Sequence, residues 1–83
     1  MQTAEDLFIK QKIIDRLQKR NYEPTWWLGG KIGEPESVVL YICQVLEKEN
    51  LVELKHILTD SYNVTFVYLL TPEEIYAKVN NGK

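Results

Sequence analysis

The sequence predicts one small α+β domain spanning residues 1–83, in which a tight pair of helices is followed by a β-hairpin. Two apolar-periodic segments, 25–33 and 35–49, meet at a glycine-containing corner, which is the spacing of two short helices joined by a turn. Two β-rich runs, 52–58 and 64–70, then flank turn-forming residues and predict a hairpin over 52–70. With 45% apolar and 27% charged residues, the chain should be globular, and it is too short for two domains.

A first helix is predicted over residues 4–20. Thr3 and Asp6 have the spacing of a capping box at its start. Its apolar stripe should consist of Leu7, Ile13, Ile14 and Leu17, whereas Phe8 and Ile9 fall off that stripe and are candidates to contact the hairpin or a second subunit. The opposite side is basic, with Lys12, Arg16, Lys19 and Arg20. Such a stripe usually serves as a solvated face, and the alternative is a contact with nucleic-acid phosphates.

A short strand is expected at residues 23–25, before the helix pair. Thr25 should cap the helix over 25–33, Gly29 should allow the next helix to approach closely, and Gly33 should adopt the left-handed conformation at the corner. Asn50 should end the helix over 35–49. That helix turns Val39, Ile42, Cys43 and Leu46 inward, and Ser37, Tyr41, Gln44 and Lys48 outward.

A last helix is predicted over 72–79, because Thr71, Pro72 and Glu74 suit the cap, first and third positions. Its apolar side, Ile75, Tyr76 and Val79, should close the core, with contact to a second copy of the chain as the alternative. The full predicted core consists of Leu17, Leu28, Ile32, Val39, Ile42, Leu46, Leu51, Phe66 and Tyr68.

The middle of the chain resembles the winged helix-turn-helix family, particularly small bacterial and phage-type regulators. The matching pieces are 28–33, then Val39 with Cys43 and Leu46, 46–52, and 68–72. Asn50 stands where the family usually has Gly, and Gly29 where it usually has Ala. Asn tolerates the left-handed conformation, whereas Gly lowers helix propensity by up to about 1 kcal/mol. The resemblance implies a three-helix core, a two-stranded wing and a short C-terminal helix.

The resemblance also implies a small transcriptional regulator that binds double-stranded DNA as a homodimer through its terminal helices. The outward hydroxyl, amide and ammonium groups of the second helix in the pair suit a major groove. The predicted DNA contacts are Ser37, Tyr41, Gln44 and Lys48, with phosphate contacts from Lys12, Arg16, Lys19 and Lys55.

The charge of residues 25–63, which include the predicted DNA-reading helix, favours a different function. Residues 25–63 carry three basic side chains, Lys31, Lys48 and Lys55, against six acidic ones, a net charge of −3 that repels phosphate. The alternative is a winged-helix adaptor that binds another protein and has no affinity for DNA. Consecutive Trp26 and Trp27 cannot both face the core, so one should be exposed. The candidate protein interface is Trp26, Trp27, Leu40, Tyr41, Phe8 and Tyr76.

Catalysis, a cofactor and a metal site are not expected. The chain has one His, one Cys and no glycine-rich phosphate loop after a strand. The single Cys43 cannot form a disulfide within the chain, which favours a reducing, cytoplasmic setting. No apolar run approaches the length of about 20 residues that a membrane helix needs.

Overall fold

The structure, a computed structural model, describes residues 3–81. Four helices and three strands follow one another in the predicted order, and each boundary lies within two residues of its predicted position. The α+β class predicted from the sequence is confirmed. The elements are α1 (Ala4–Arg20), β1 (Tyr22–Pro24), α2 (Thr25–Ile32), α3 (Glu36–Lys48), β2 (Val52–Leu58), β3 (Asn63–Leu69) and α4 (Pro72–Asn81).

The three strands form one antiparallel sheet in the order β1-β3-β2. β2 and β3 make the predicted hairpin, whose turn is closed by a hydrogen bond from the Thr59 amide to the Tyr62 carbonyl. The short β1 pairs with the other edge of β3, opposite residues 66–68. Helices α1, α2 and α3 pack against one face of this sheet and bury the core between them.

The buried stripe of α1 differs from the predicted one. Ile9, Ile13 and Leu17 are buried, whereas Leu7 is 53% exposed and Ile14 is half-buried. The residues at i, i+4 and i+8 lie on one helical face, and Leu7 is about 200° around the helix from Ile9. The prediction that Leu7 lies in the core and Ile9 off the stripe is therefore wrong.

The two faces of β3 are also reversed relative to the prediction. Val67 is fully buried, whereas Phe66 and Tyr68, which were predicted to enter the core, lie on the face of the sheet away from the helices. Val67 pairs with Leu54 on one side and with Glu23 on the other. Successive strand residues point to opposite faces of the sheet, so an error of one position in the predicted pattern assigns every side chain to the wrong face.

The corner between α2 and α3 is built on glycine, as predicted. A Cβ atom at Gly29 would lie 2.6 Å from the backbone oxygen of Glu34, so only glycine allows this approach. The carbonyl of Gly29 accepts hydrogen bonds from the amides of Gly33 and Glu34, both at 2.9 Å. Gly33 and, after α3, Asn50 adopt positive φ values of 77° and 62°.

Thr25 does not cap α2, contrary to the prediction. Pro24 occupies the cap position, and Thr25 is the buried first residue of the helix. Its hydroxyl donates a hydrogen bond of 2.8 Å to Glu36 Oε2 at the start of α3. The Thr25 side chain therefore joins the first turns of the two helices.

The last helix, α4, begins as predicted but covers little of the core. Thr71 and Glu74 exchange capping hydrogen bonds, which lower the pKa of Glu74. Ile75 is half-buried, whereas Tyr76 is 72% exposed and Val79 is 48% exposed. The prediction that Tyr76 and Val79 close the core is wrong.

Substituting alanine at the two neighbouring glycines of α2 should have opposite effects. Gly29→Ala should lower the free energy of unfolding by about 1 to 3 kcal/mol, because the new methyl group collides with a backbone carbonyl. Gly30→Ala should raise it by up to about 1 kcal/mol, because nothing lies within 4 Å and alanine is the better helix former. Urea denaturation measures both. Equal effects of the two substitutions would contradict the close approach at Gly29.

Candidate nucleic-acid interface

The outward side of α3 carries four exposed polar side chains, which we call the α3 ridge: Ser37, Tyr41, Gln44 and Lys48. They lie on the side of the helix opposite the buried Val39, Ile42, Cys43 and Leu46. Within residues 3–81, the ridge side chains take part in no hydrogen bond or ion pair. All four are therefore available to a ligand at the surface.

Most acidic side chains near the ridge are held by other groups of the protein. Glu36 accepts the Thr25 hydroxyl, and Glu47 accepts the backbone amide of Leu54 at 3.0 Å. Glu49 forms an ion pair of 2.8 Å with Lys10 from α1. Farther away, Lys78 lies 3.7 Å from Glu53. Lys10 and Lys78 lie outside residues 25–63, so these two ion pairs offset part of the net charge of −3 counted there, whereas the hydrogen bonds to Glu36 and Glu47 come from uncharged donors.

The predicted phosphate contacts of α1 lie apart from the α3 ridge. Lys12, Arg16 and Lys19 line a hollow of about 280 Å³ between α1 and α2, together with Asp15, Lys31 and Ile32. α1 packs on the core side of α3, whereas the ridge points away from the core. The structure therefore divides the predicted contacts into two surfaces.

Arg16 has a structural partner that sequence reasoning missed. Its Nε donates a hydrogen bond of 2.9 Å to Oε1 of Glu23, a β1 residue that is only 2% exposed. The other carboxylate oxygen of Glu23 has no hydrogen-bond partner among the described residues. Removing a charged group from water is costly unless it is paired, so Arg16 is needed to compensate Glu23. The sequence offered one signal for this pair, an acidic residue within a predicted strand.

The last predicted phosphate contact, Lys55, lies on the wing. Its ammonium group is 4.8 Å from the centre of the Tyr68 ring, on the sheet face away from the helices. The neighbouring His56 pairs with Thr65 across the hairpin, with 2.8 Å between Nδ1 and Oγ1. Lys55 remains exposed and lies apart from the α1 cations.

Trp26 is the more exposed of the two adjacent tryptophans. It is 54% exposed, whereas Trp27 is half-buried and lies edge-on to Trp26 with 5.8 Å between the ring centres. The ammonium of Lys31 lies 4.6 Å from the centre of the Trp27 ring. The indole that lies at the surface is therefore that of Trp26.

The other residues of the predicted protein interface lie on different elements. Phe8 of α1 is 62% exposed beneath the Lys12 ammonium, Tyr41 belongs to the α3 ridge, and Tyr76 is on α4. Leu40 is half-buried. Within residues 3–81, none of these rings contacts the two indoles, so the candidates do not form one aromatic cluster with them.

An aromatic cluster that the sequence analysis missed lies on the outer face of the sheet. Tyr22 stacks on Tyr68 with 5.3 Å between ring centres, and Phe66 lies 6.3 Å from Tyr22 and 6.4 Å from Tyr68. Tyr22 and Tyr68 are directly opposite each other in the ladder. Alternation along β3 places Phe66 and Tyr68 on one face, and only the pairing of β1 with β3 adds Tyr22.

Cys43 has no features of a reactive thiol. Burial, with a smaller contribution from the charge of Glu47, raises its pKa to about 12. Among residues 3–81, no group of three or more His, Cys, Asp or Glu side chains is placed to hold a metal ion. None of the helices in that range is long and apolar enough to cross a membrane.

The tight helix pair, the three-stranded sheet and its hairpin define a winged-helix domain. The transcriptional regulator homologue protein from Pyrococcus horikoshii OT3 has this fold, with a TM-score of 0.70 and 18% identity over 94% of this chain and 78% of that one. Stf76 from the Sulfolobus islandicus plasmid-virus pSSVx has a TM-score of 0.68 and 17% identity over 84% of this chain and 91% of that one. No protein-family model and no curated protein matches the chain. At these identities the likeness shows the fold alone.

Removing the charge of Arg16 should destabilise the domain. Arg16→Met should cost about 3 kcal/mol in unfolding free energy, at the low end of the range for a buried pair, because the Arg16 side chain is 29% exposed. Adding Glu23→Leu should recover much of that loss, since the buried charge is then also removed. Urea denaturation of both variants measures the effect. Lys19→Met, the matched control at an exposed position of α1, should change stability by less than about 0.5 kcal/mol.

Proposed function

We propose that this chain is a sequence-specific DNA-binding protein that regulates transcription and reads the major groove with the α3 ridge. The observation that carries the proposal is the ridge itself, a row of exposed polar side chains without internal partners, on the helix that follows the tight corner. The fold shared with a protein described as a transcriptional regulator homologue supports this role. Binding rather than catalysis is the function we assign to the domain.

The chemistry of the ridge suits base recognition. The Gln44 amide can donate to and accept from adenine, Lys48 can donate to guanine or to a phosphate, and Ser37 can donate or accept. An isolated recognition helix with one ammonium group makes few phosphate contacts, and these contacts supply most of the non-specific affinity. A second subunit would double the contacts.

We therefore propose that the regulator is a homodimer whose subunits meet through α1 and α4. A hollow of about 400 Å³ lies between these helices and is lined largely by apolar side chains, including Ile14, Leu51 and Ile75. Leu7 on α1, with Tyr76 and Val79 on α4, adds exposed apolar surface on the same two helices. A second copy would cover side chains that the monomer leaves in water.

Substitution of the ridge should separate base recognition from phosphate binding. After target sites are selected from a random duplex library, Gln44→Ala should weaken binding to the best site by about 1 to 3 kcal/mol and should barely change binding to unrelated duplexes. Lys48→Ala should reduce the salt dependence of binding. Both effects are measured by mobility-shift titration, with Asn63→Ala, an exposed amide outside the ridge and outside both terminal helices, as the control. Failure to enrich any sequence at low salt would refute DNA reading by the ridge.

Charge placed on α4 should dissociate the dimer. Tyr76→Asp should shift the wild-type dimer to monomer in sedimentation equilibrium, because an ionised carboxylate would have to enter an apolar interface. Tyr62→Asp is the matched control, since Tyr62 is 58% exposed at the hairpin turn, away from both terminal helices. A monomeric wild-type protein, or equal dissociation by both variants, would contradict an interface through α1 and α4.

A further inference from the structure

Positive charge is concentrated on the α1 and α2 side of this acidic chain. Six of its ten Lys and Arg residues lie on these two helices, although the chain as a whole has a net charge of −2; Lys10 is paired with Glu49 of α3, and the other five line hollows at the surface. Two acidic side chains lie among them: Asp15 accepts a hydrogen bond of 2.8 Å from the uncharged Gln11 amide, and buried Glu23 is paired with Arg16, so the cations outnumber the carboxylates. The five cations are Lys12, Arg16, Lys19, Arg20 and Lys31.

These cations line three neighbouring hollows, which we together call the cation–indole groove. The first hollow, of about 280 Å³, lies between α1 and α2, and the second, of about 340 Å³, lies beside Trp26 and Gly30. Both hollows include Lys31. The third hollow, of about 250 Å³, lies beside Arg20 and Pro24, and it shares the lining residue Trp27 with the second hollow. The groove therefore has both cationic and aromatic walls.

The two indoles are positioned to contact a planar group. Trp26 is more than half exposed and is braced at its side by the edge-on ring of Trp27. Trp27 carries the Lys31 ammonium over its face, which brings a phosphate-binding charge next to the exposed indole. Because tryptophan is large and apolar, such exposure is typical of a binding surface.

We propose that the cation–indole groove binds single-stranded nucleic acid, with a base stacked on Trp26 and the flanking phosphates held by Lys31, Lys19 and Arg20. Cations and exposed aromatic rings are the combination that single strands require. The bases of a duplex are stacked on one another and cannot reach an indole face. An acidic polypeptide would pair with the lysines through its carboxylates, which do not supply the large aromatic face that a nucleobase offers to Trp26. The groove is separate from the α3 ridge, so this activity does not depend on duplex recognition.

The chain provides its own optical probe for this interaction. It contains only two tryptophans, and both lie in the groove. Stacking of a base on Trp26 should quench the intrinsic tryptophan fluorescence when oligothymidylate of about ten nucleotides is added at low salt. Affinity is measured in parallel by the fluorescence anisotropy of a labelled oligothymidylate, so that variants lacking a tryptophan can be compared.

The variants separate stacking from charge. Trp26→Ala should weaken oligothymidylate binding about 5- to 100-fold, and Trp26→Phe should retain most of the affinity because it keeps an aromatic face. Lys31→Ala and Lys19→Ala should lower affinity and reduce its dependence on salt. Tyr62→Ala and Lys78→Ala, an exposed aromatic at the hairpin turn and a lysine of α4, should leave oligothymidylate binding unchanged. Thermal unfolding followed by circular dichroism checks that each variant is folded.

Three outcomes would overturn the proposal. The first is the absence of any oligothymidylate binding or quenching at low salt. The second is a pair of results: polyglutamate of equal charge displaces oligothymidylate, and Trp26→Ala binds oligothymidylate with wild-type affinity. Together these results would assign the groove to an acidic protein segment. The third is equal binding of a duplex of the same length with the same dependence on Trp26. A loss of duplex selection by Gln44→Ala with intact oligothymidylate binding distinguishes this groove from the α3 ridge.

Discussion

The architecture depends on the contact between α2 and the chain entering α3. At Gly29 the missing side chain lets the backbone oxygen of Glu34 occupy the space that a Cβ would take. The Gly29 carbonyl, one of the last in α2, accepts hydrogen bonds from the amides of Gly33 and Glu34, and the Thr25 hydroxyl donates to Glu36 at the start of α3. These local contacts set the direction of α3. Its buried side then meets α1 and the sheet, and its polar side must face outward.

Charge placement explains how an acidic chain can present basic and neutral surfaces. Lys10 from α1 neutralises Glu49 at the end of α3, and Glu47 is bound to the backbone of β2. These contacts hold carboxylates against the domain and leave Gln44 and Lys48 exposed. On α1 the pairing of Arg16 with buried Glu23 ties the helix to β1, while the neighbouring cations remain at the surface. The same helix thus contributes to stability through one cation and to surface charge through the others.

The outer face of the sheet shows how the small β1 strand is retained. β1 has only three residues, too few to be stable by itself. Its inward residue, Glu23, is held by Arg16, and its outward residue, Tyr22, stacks on Tyr68. Both faces of the strand are therefore anchored by side chains in addition to its ladder with β3. Cross-strand aromatic pairs contribute about 0.2 to 1 kcal/mol each, a useful amount for an edge strand.

The sequence by itself determined the elements and their order, because these follow from local patterns. The periodicity of α3, the glycines at the corner, the left-handed Asn50 and the cap at Thr71 each depend on residues a few positions apart. The predicted inward residues of α3 are all buried, because a strongly amphipathic helix leaves little freedom of rotation.

Only the tertiary structure decided which side faces the core in α1 and β3, where the apolar residues do not define a single face. In α1, Leu7, Ile9, Ile13 and Ile14 offer more than one apolar stripe, and packing against α3 selects the one with Ile9. In β3, every residue from Val64 to Leu69 except Thr65 is apolar, so the sequence did not show which alternate residues face the core. In the folded sheet, where β3 pairs with β2, Val67 points inward. The pairing of Arg16 with Glu23 and the grouping of Lys12, Arg16 and Lys19 with Lys31 likewise join residues from different elements. Such contacts depend on how helices and strands pack in three dimensions. The spacing of residues within one helix or strand does not reveal that packing.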